Sequence, residues 1–97
     1  MPFLHPQIKR IIYDAHFDRK LKKYLRALDA DDRNYVVKVL EIFRNNPFDK
    51  KLNTHKLNGV LRDYWAFSID HRNRIIFRFL KNSEVFLVDI GGHEIYK

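Results

Sequence analysis

The chain has 97 residues, a length typical of one domain, and it has no cysteine, which excludes disulfides, thiolate metal sites and cysteine nucleophiles. Hydrophobic residues make up 45% of the chain and aromatic residues 14%, enough to bury a core. Lys and Arg outnumber Asp and Glu by 19 to 12, giving a net charge of +7. Polyanions are therefore natural partners, and RNA, DNA and an acidic protein all fit this description. We predict a single domain over residues 1–97.

The N-terminal sequence MPFLHPQIKRIIYD lacks the uninterrupted apolar run of a secretory signal. No stretch approaches the roughly 20 apolar residues of a membrane helix. We therefore expect a cytoplasmic protein that does not bind membranes.

The first half of the chain predicts a strand followed by two helices. Residues 8–13 (IKRIIY) are a short apolar-rich run, and Asp14 after them is a plausible helix N-cap. The first helix is indicated by an apolar stripe at helical spacing: Phe17, Leu21, Tyr24, Leu25 and Leu28. Its other face is basic, with Arg19, Lys20, Lys22, Lys23 and Arg26.

The second helix begins after a polar break and ends before a proline. Asp29 or Asp31 is the candidate N-cap, and the apolar face comprises Tyr35, Val36, Val39, Leu40 and Phe43. The helix should end near 45–46, because Pro47 disfavours helical geometry in the residue before it. Two helices joined by so few residues are expected to pack as an antiparallel hairpin.

After Pro47 the pattern changes to that of strands. Residues 47–60 are polar and irregular and end in an Asn58–Gly59 turn signal. Three strands are predicted over 63–69, 74–80 and 85–90, with turns at 70–73 and 81–83, followed by a short tail over 93–97. Regular alternation assigns five residues to the core rather than to a base-stacking surface: Trp65, Phe67, Ile75, Phe77 and Phe79. The predicted fold is α+β, in the order β-α-α-β-β-β, with a helical hairpin packed on a small antiparallel sheet.

The residues most able to carry chemistry flank these strands. His55 precedes the first strand of the meander, Arg74 opens the second, and His93 follows the third. Strand starts and strand ends can meet at one end of a meander, where loop residues are held by a rigid scaffold. Histidines transfer protons near neutral pH and an arginine can clamp phosphoryl oxygens, a combination that suits metal-independent RNA cleavage.

Four short motifs give this constellation a family resemblance. HKLNG (55–59), YWAFSI (64–69), RIIF (74–77) and LVDIGGHEIY (87–96) resemble the RelE/ParE toxin superfamily, most closely its YafQ-like branch, over about residues 8–97. The resemblance implies the toxin of a type II toxin–antitoxin system. It further implies an endoribonuclease that cleaves messenger RNA, usually on the ribosome, by 2′-hydroxyl attack that leaves a 2′,3′-cyclic phosphate. It implies a cognate antitoxin as partner and no cofactor.

The resemblance also implies roles for particular residues. His55 matches the histidine of an H-x-L-x-G turn, Arg74 an arginine that contacts the scissile phosphate, and His93 a C-terminal histidine that transfers a proton. Tyr96 resembles a terminal aromatic that stacks on or orients the substrate, although it follows His93 by three residues where four is usual. As further substrate-binding residues we expect Lys56 and Arg72, which would steer the RNA backbone.

The chain departs from the YafQ-like pattern at two positions. That branch has a second histidine in the aromatic strand and an aspartate in the following turn, where this chain has Ser68 and Arg72. His71 lies one place away and is a candidate substitute, or a solvent-facing turn residue. The division of labour between His55 and His93 as base and acid stays open.

Other readings remain. A ParE-like inhibitor of DNA gyrase would have the same fold, although such chains generally lack the C-terminal histidine and arginine. A non-catalytic RNA-binding domain would account for the two departures. Individually, His55 is also compatible with a surface histidine without a role, and Arg74 with an edge-strand charge that discourages aggregation.

Overall fold

The computed structural model describes residues 7–96. Residues 1–6 and Lys97 lie outside this range. The sequence considered for a secretory signal begins in the first of these segments, and the predicted tail ends at Lys97. Within it the helices and strands are β1 (Arg10–Tyr13), α1 (Ala15–Arg26), α2 (Ala30–Asn45), β2 (His55–Lys56), β3 (Trp65–Ser68), β4 (Arg74–Phe79) and β5 (Glu84–Gly91). No helix in this range is both long and apolar enough to cross a membrane.

Both helices begin at an aspartate that caps their free backbone N–H groups. The side chain of Asp14 accepts a hydrogen bond from the backbone N–H of Phe17 at 2.9 Å. Of the two candidate caps for α2, Asp29 fills the position, accepting from the N–H of Asp32 at 2.8 Å. The end of α2 at Asn45, two residues before Pro47, confirms the predicted boundary.

The sheet is mixed rather than antiparallel. Its strand order is β1-β5-β4-β3-β2, and the predicted meander of β3, β4 and β5 is antiparallel throughout. However, β1 pairs with β5 in parallel, with Ile11 opposite Val85. The expectation of an antiparallel sheet was therefore wrong at this edge. Apolar alternation carries no strand direction, and the long connection that parallel pairing requires is supplied here by the rest of the domain.

Two segments that looked irregular contain regular structure. Residues 47–60 include strand β2 and a 3-10 helix at Lys50–Leu52, and a second 3-10 helix spans Gly59–Leu61. The predicted tail forms a 3-10 helix at His93–Tyr96. A two-residue strand and single 3-10 turns are too short to produce a periodic pattern, which is why the sequence did not reveal them.

The main core lies between the helices and one face of the sheet. Phe43 of α2 is fully buried and stacks on Phe67 of β3 with ring centroids 4.1 Å apart. The ring of Phe77 meets the ring of Phe43 edge-on, with centroids 5.0 Å apart. Phe17 of α1 is also fully buried in this cluster. The ring contacts of Phe43 join α2 to the meander, and burial of Phe17 in the same cluster joins α1 to it.

Two residues assigned to buried faces are in fact exposed. Phe79 keeps 39% of its surface accessible, since it ends β4 and lies against Phe48 and Trp65 at the margin of the sheet. Tyr35 is 56% exposed. It precedes the buried Val36 by one residue, and the 100° turn per helical residue carries it away from the core.

The opposite face of the sheet carries a second, smaller cluster. Leu57, Ala66 and Ile76 are its buried members. Partly buried hydrophobic residues cover them: Leu61, Tyr64, Val88, Ile95 and Tyr96. The C-terminal 3-10 helix is thereby held against the sheet on the side away from α1 and α2.

Truncating Phe43 tests the importance of the main core. Phe43→Ala should lower the free energy of unfolding by about 3–5 kcal/mol, because it removes a fully buried ring and leaves a cavity between Phe67 and Phe77. Urea denaturation followed by circular dichroism measures the change. Val60→Ala, at a side chain that is 94% exposed, is the control and should stay within about 0.5 kcal/mol of the unsubstituted protein. A Phe43→Ala loss below about 1 kcal/mol would contradict the packing described here.

Candidate functional site

The register of the three central strands gathers the candidate residues at one end of the sheet. Arg74, the first residue of β4, lies opposite both Ser68 at the end of β3 and Gly91 at the end of β5. His93 follows Gly91 by two residues, and the turn over 70–73 joins β3 to β4 at the same place. We call this region the turn end of the sheet.

His55 approaches the turn end from the edge strand. It pairs with Ala66, so its side chain lies on the same face of the sheet as Ala66 and Ile76, away from the helices. His55 lies two strands away from Arg74 across the sheet and two residues away along the strand direction. Their Cα atoms are therefore about 12 Å apart, a gap that a nucleotide can occupy. Nδ1 of His55 lies 2.8 Å from the carbonyl oxygen of Asn53. Because a carbonyl only accepts, Nδ1 is the donor, and Nε2 of the neutral ring is an acceptor.

His93 and Tyr96 contact each other in the C-terminal 3-10 helix, and the charge of Arg74 acts on Tyr96. The rings of His93 and Tyr96 meet edge to face with centroids 5.8 Å apart. Burial raises the pKa of Tyr96, and the positive charge of Arg74 acts in the opposite direction. The Tyr96 hydroxyl oxygen is buried without a hydrogen-bond partner among residues 7–96. A buried polar atom without a partner is uncommon in proteins and often marks a functional position.

Arg74 also faces a cavity of about 510 Å³. Ser68 lines this cavity beside it, and His71 lines it from the turn. The remaining wall is polar and comes from α2, the Lys50–Leu52 helix and the turn: Asp32, Tyr35, Lys51, Asn53 and Asp70. Its size suits a nucleotide-sized ligand, and its lining combines cations with hydrogen-bonding groups.

The turn that carries His71 is held by Asp70. The carboxylate of Asp70 accepts hydrogen bonds from the backbone N–H groups of Arg72 and Asn73, at 2.8 and 2.7 Å, and from the Asn73 amide. Its second oxygen accepts from the hydroxyl of Tyr24 on α1. The turn is thereby attached to the helical layer as well as closed on itself.

These contacts change the pKa values of both partners. Burial raises the pKa of Tyr24, and the hydrogen bond to Asp70 and its charge raise it further. Burial alone would raise the pKa of Asp70, but the hydrogen bonds from Tyr24, Asn73 and the backbone outweigh it and lower the pKa below its ordinary value of 3.8. At neutral pH the pair is thus a phenol donating to a carboxylate.

Arg72 and Lys56 are placed differently from the other candidates. Arg72 lines a smaller adjoining cavity of about 260 Å³, which also includes His71 and Tyr24. Lys56 pairs with Trp65, so it belongs to the helical face of the sheet, opposite to the face of His55. Lys51 lines the larger cavity. The sequence suggested Lys56, rather than Lys51, as a substrate-binding residue.

Sequence reasoning missed Lys51, Asp70 and the two α2 residues of the cavity wall, Asp32 and Tyr35. Asp70 had a recognisable signal, because an aspartate followed by Asn73 at the start of a turn favours side-chain hydrogen bonds to the turn backbone. The others reach the site only through the packing of α2 and the Lys50–Leu52 helix against the sheet. In residues 7–96 no group of three or more His, Asp or Glu side chains is arranged to hold a metal ion.

Comparison with known proteins identifies the fold. No family model matches the chain, and no curated protein matches it by sequence. Three solved structures are similar. A YoeB/ParE toxin from Agrobacterium tumefaciens has a TM-score of 0.68 at 14% identity, over 87% of this chain and 98% of that one. YafQ from E. coli strain BL21(DE3) has a TM-score of 0.63 at 18% identity, over 89% of this chain and 94% of that one. An archaeal RelE–RelB complex from Pyrococcus horikoshii OT3 has a TM-score of 0.63 at 16% identity, over 89% of this chain and 96% of that one.

The chain therefore has the same fold as these three toxin structures, which is the fold that the sequence motifs predict. The shared architecture is a pair of helices packed on a mixed sheet. At identities of 14–18% this similarity establishes the fold alone.

Removing the Tyr24 hydroxyl tests the attachment of the turn. Tyr24→Phe should cost about 1–2 kcal/mol of unfolding free energy at neutral pH, because it removes a hydrogen bond to a charged group. Since the folded pKa of Asp70 is lowered, this contribution is present above pH 3.8 and is lost as the pH falls through the folded value. Urea denaturation at pH 7 and near pH 2.5 measures it, with Tyr13→Phe on exposed β1 as control. An equal cost at both pH values would contradict the Tyr24–Asp70 contact.

Proposed function

We propose that the chain is the toxin of a type II toxin–antitoxin system and acts as a metal-independent endoribonuclease on messenger RNA, with the ribosome as the setting of cleavage. The observation that carries the proposal is the position of Arg74, which lies on the polar cavity at the turn end of the sheet, where β5 leads into the 3-10 helix of His93 and Tyr96. The fold shared with YafQ and RelE supports it, as does the net charge of +7.

Arg74 is proposed to bind the scissile phosphate. In the cleavage reaction the 2′-oxygen forms a bond to phosphorus while the bond to the 5′-oxygen breaks, and negative charge gathers on the non-bridging oxygens between these events. A guanidinium can donate two parallel hydrogen bonds to those oxygens and so stabilise the transition state more than the ground state. Pairing on both sides in the sheet holds the start of β4 and reduces the entropy lost on binding.

Two protons must move for this chemistry to balance. One leaves the 2′-hydroxyl, and one is delivered to the departing 5′-oxygen, so that the products are a 2′,3′-cyclic phosphate and a free 5′-hydroxyl. His55 and His93 are the proposed proton-transfer residues. The hydrogen bond of His55 Nδ1 to Asn53 leaves Nε2 as an acceptor, which favours His55 as the base.

The remaining residues are proposed to hold the substrate. Tyr96 would orient the nucleotide near Arg74 through its ring, which contacts the ring of His93. Arg72 in the adjoining cavity would steer the RNA backbone, and Lys56 on the edge strand would do so from outside the cavity. Lys51 is an additional candidate for a phosphate contact, because it lines the cavity with Arg74.

A cognate antitoxin is the proposed protein partner. The archaeal structure with the same fold is a RelE–RelB complex. An antitoxin segment that carries acidic residues would complement the positive charge of this chain and block the route of RNA to the turn end. A short DNA-binding protein encoded next to this chain, able to neutralise it on co-expression, would support this partnership.

Replacing Arg74 tests the proposed phosphate contact. Arg74→Ala should reduce cleavage of messenger RNA on ribosomes about 10²–10³-fold, the loss typical of removing a transition-state hydrogen-bond donor. Mapping of RNA 5′ ends, in cells and with purified ribosomes, gives the rate. Arg78→Ala is a matched control, since Arg78 is an exposed arginine on the same strand but away from the turn end. Full activity of a folded Arg74→Ala protein would contradict the role of Arg74.

Replacing His93 tests proton transfer at the C-terminal 3-10 helix. His93→Ala should slow cleavage about 10²–10⁴-fold while leaving the thermal unfolding midpoint close to that of the unsubstituted protein, because His93 is exposed.

A DNA supercoiling assay with the unsubstituted protein separates the alternatives. Inhibition of gyrase without RNA cleavage would replace this proposal with a ParE-like one, and salt-sensitive RNA binding without cleavage would indicate a non-catalytic domain.

A further inference from the structure

His71 lies on the wall of the largest cavity at the turn end, whereas neither His55 nor His93 is among the residues that line it. His71 shares this wall with Arg74 and Ser68. As the second residue of a solvent-exposed turn, a histidine would ordinarily face water and have no role. Here Asp32 and Tyr35, from the first two turns of α2, line the cavity as well.

The backbone that carries His71 is held in place on both sides. Backbone N–H groups of Ile69 and Asp70 donate to the carbonyl of Asn73, closing the turn around His71 and Arg72. Asp70 accepts from the N–H groups of Arg72 and Asn73 and from the Tyr24 hydroxyl. So many contacts on its neighbours fix the position of the His71 Cα, and an imidazole has only two side-chain torsions to order. A fixed position is what a proton-transfer group needs.

Building on the proposed function, we propose that His71, in place of His93, donates the proton to the departing 5′-oxygen of the RNA. Arg74 and His71 share one cavity, so a phosphate held by Arg74 there lies within reach of the His71 ring. His55, whose Nε2 is an acceptor, takes the proton from the 2′-hydroxyl as the bond from the 2′-oxygen to phosphorus forms. His71 gives its proton as the bond from phosphorus to the 5′-oxygen breaks, and the charges balance without any further reactant.

The other ionisable groups of this cavity come from three elements. Asp32 and Tyr35 belong to α2, Lys51 to the Lys50–Leu52 helix, and Asp70 to the turn itself, with Arg74 opening β4. Two carboxylates and two cations therefore line the cavity together with His71. This arrangement lets His71 change charge during a reaction without leaving a large net charge in the cavity.

A substrate with a better leaving group separates proton donation from other roles. RNA in which sulfur replaces the 5′-oxygen at a single cleaved linkage does not need a proton on the leaving group, because a thiolate departs unaided. On ordinary RNA, His71→Ala should cleave about 10²–10⁴-fold more slowly than the unsubstituted protein in single-turnover reactions on ribosomes. On the sulfur-containing RNA the defect should shrink to within about tenfold.

Two control variants accompany the measurement. His16→Ala removes an exposed histidine on α1, remote in sequence from the turn end, and should cleave both substrates at the normal rate. Arg74→Ala should be slow on both, since phosphate binding is needed whichever atom leaves. Thermal unfolding of each variant verifies that it is folded.

The outcomes distinguish this inference from the proposed function. If Arg74→Ala is inactive while His71→Ala cleaves ordinary RNA normally, the nuclease stands and the role of His71 is wrong. A His71→Ala defect of equal size on both substrates would make His71 a structural residue of the turn and overturn proton donation. Failure of the unsubstituted protein to cleave either RNA would overturn both proposals together.

Discussion

The register of β4 between β3 and β5 is the constraint on which the candidate site depends. With Arg74 opposite Ser68 and Gly91, the first residue of one strand meets the last residues of its two neighbours. The turn over 70–73 and the helix at His93–Tyr96 must then leave the sheet side by side. A shift of one residue would turn Arg74 to the helical face and replace Ile75 in the core with a charge, so burial of the core also fixes the position of the guanidinium.

Core packing and site geometry are linked through α2. Phe43 anchors the C-terminal half of this helix on Phe67 and Phe77, while its first two turns carry Asp32 and Tyr35 to the wall of the large cavity. Tyr24 of α1 attaches the turn over 70–73 to the helical layer through Asp70. The two helices therefore both cover the core and shape one side of the site. This dual role explains why Tyr35, which looks like a core residue in the sequence, is exposed at the cavity.

The surroundings of Arg74 offer two different imidazoles. His71 shares the polar cavity with it, whereas His93 follows Gly91, the β5 residue that pairs with Arg74, and contacts Tyr96. His55 approaches from the edge strand with its acceptor nitrogen fixed by Asn53. A site with three histidines around one arginine has more proton-transfer groups than the reaction needs. Ser68 and Arg72, where the YafQ-like pattern has histidine and aspartate, are thus compatible with a different assignment of the same tasks.

Much of the fold could be read from the sequence because local physics specifies it. Apolar periodicity located both helices and the meander, and Asp14 and Pro47 marked helix boundaries, since capping and proline sterics act within a few residues. The motifs around His55, Arg74 and His93 predicted the fold class and the candidate residues. Only the tertiary structure decided that β1 pairs in parallel with β5, and that Lys51 and His71 line one cavity with Arg74. Strand direction and cavity walls depend on contacts between residues distant in the chain, and no local pattern records them.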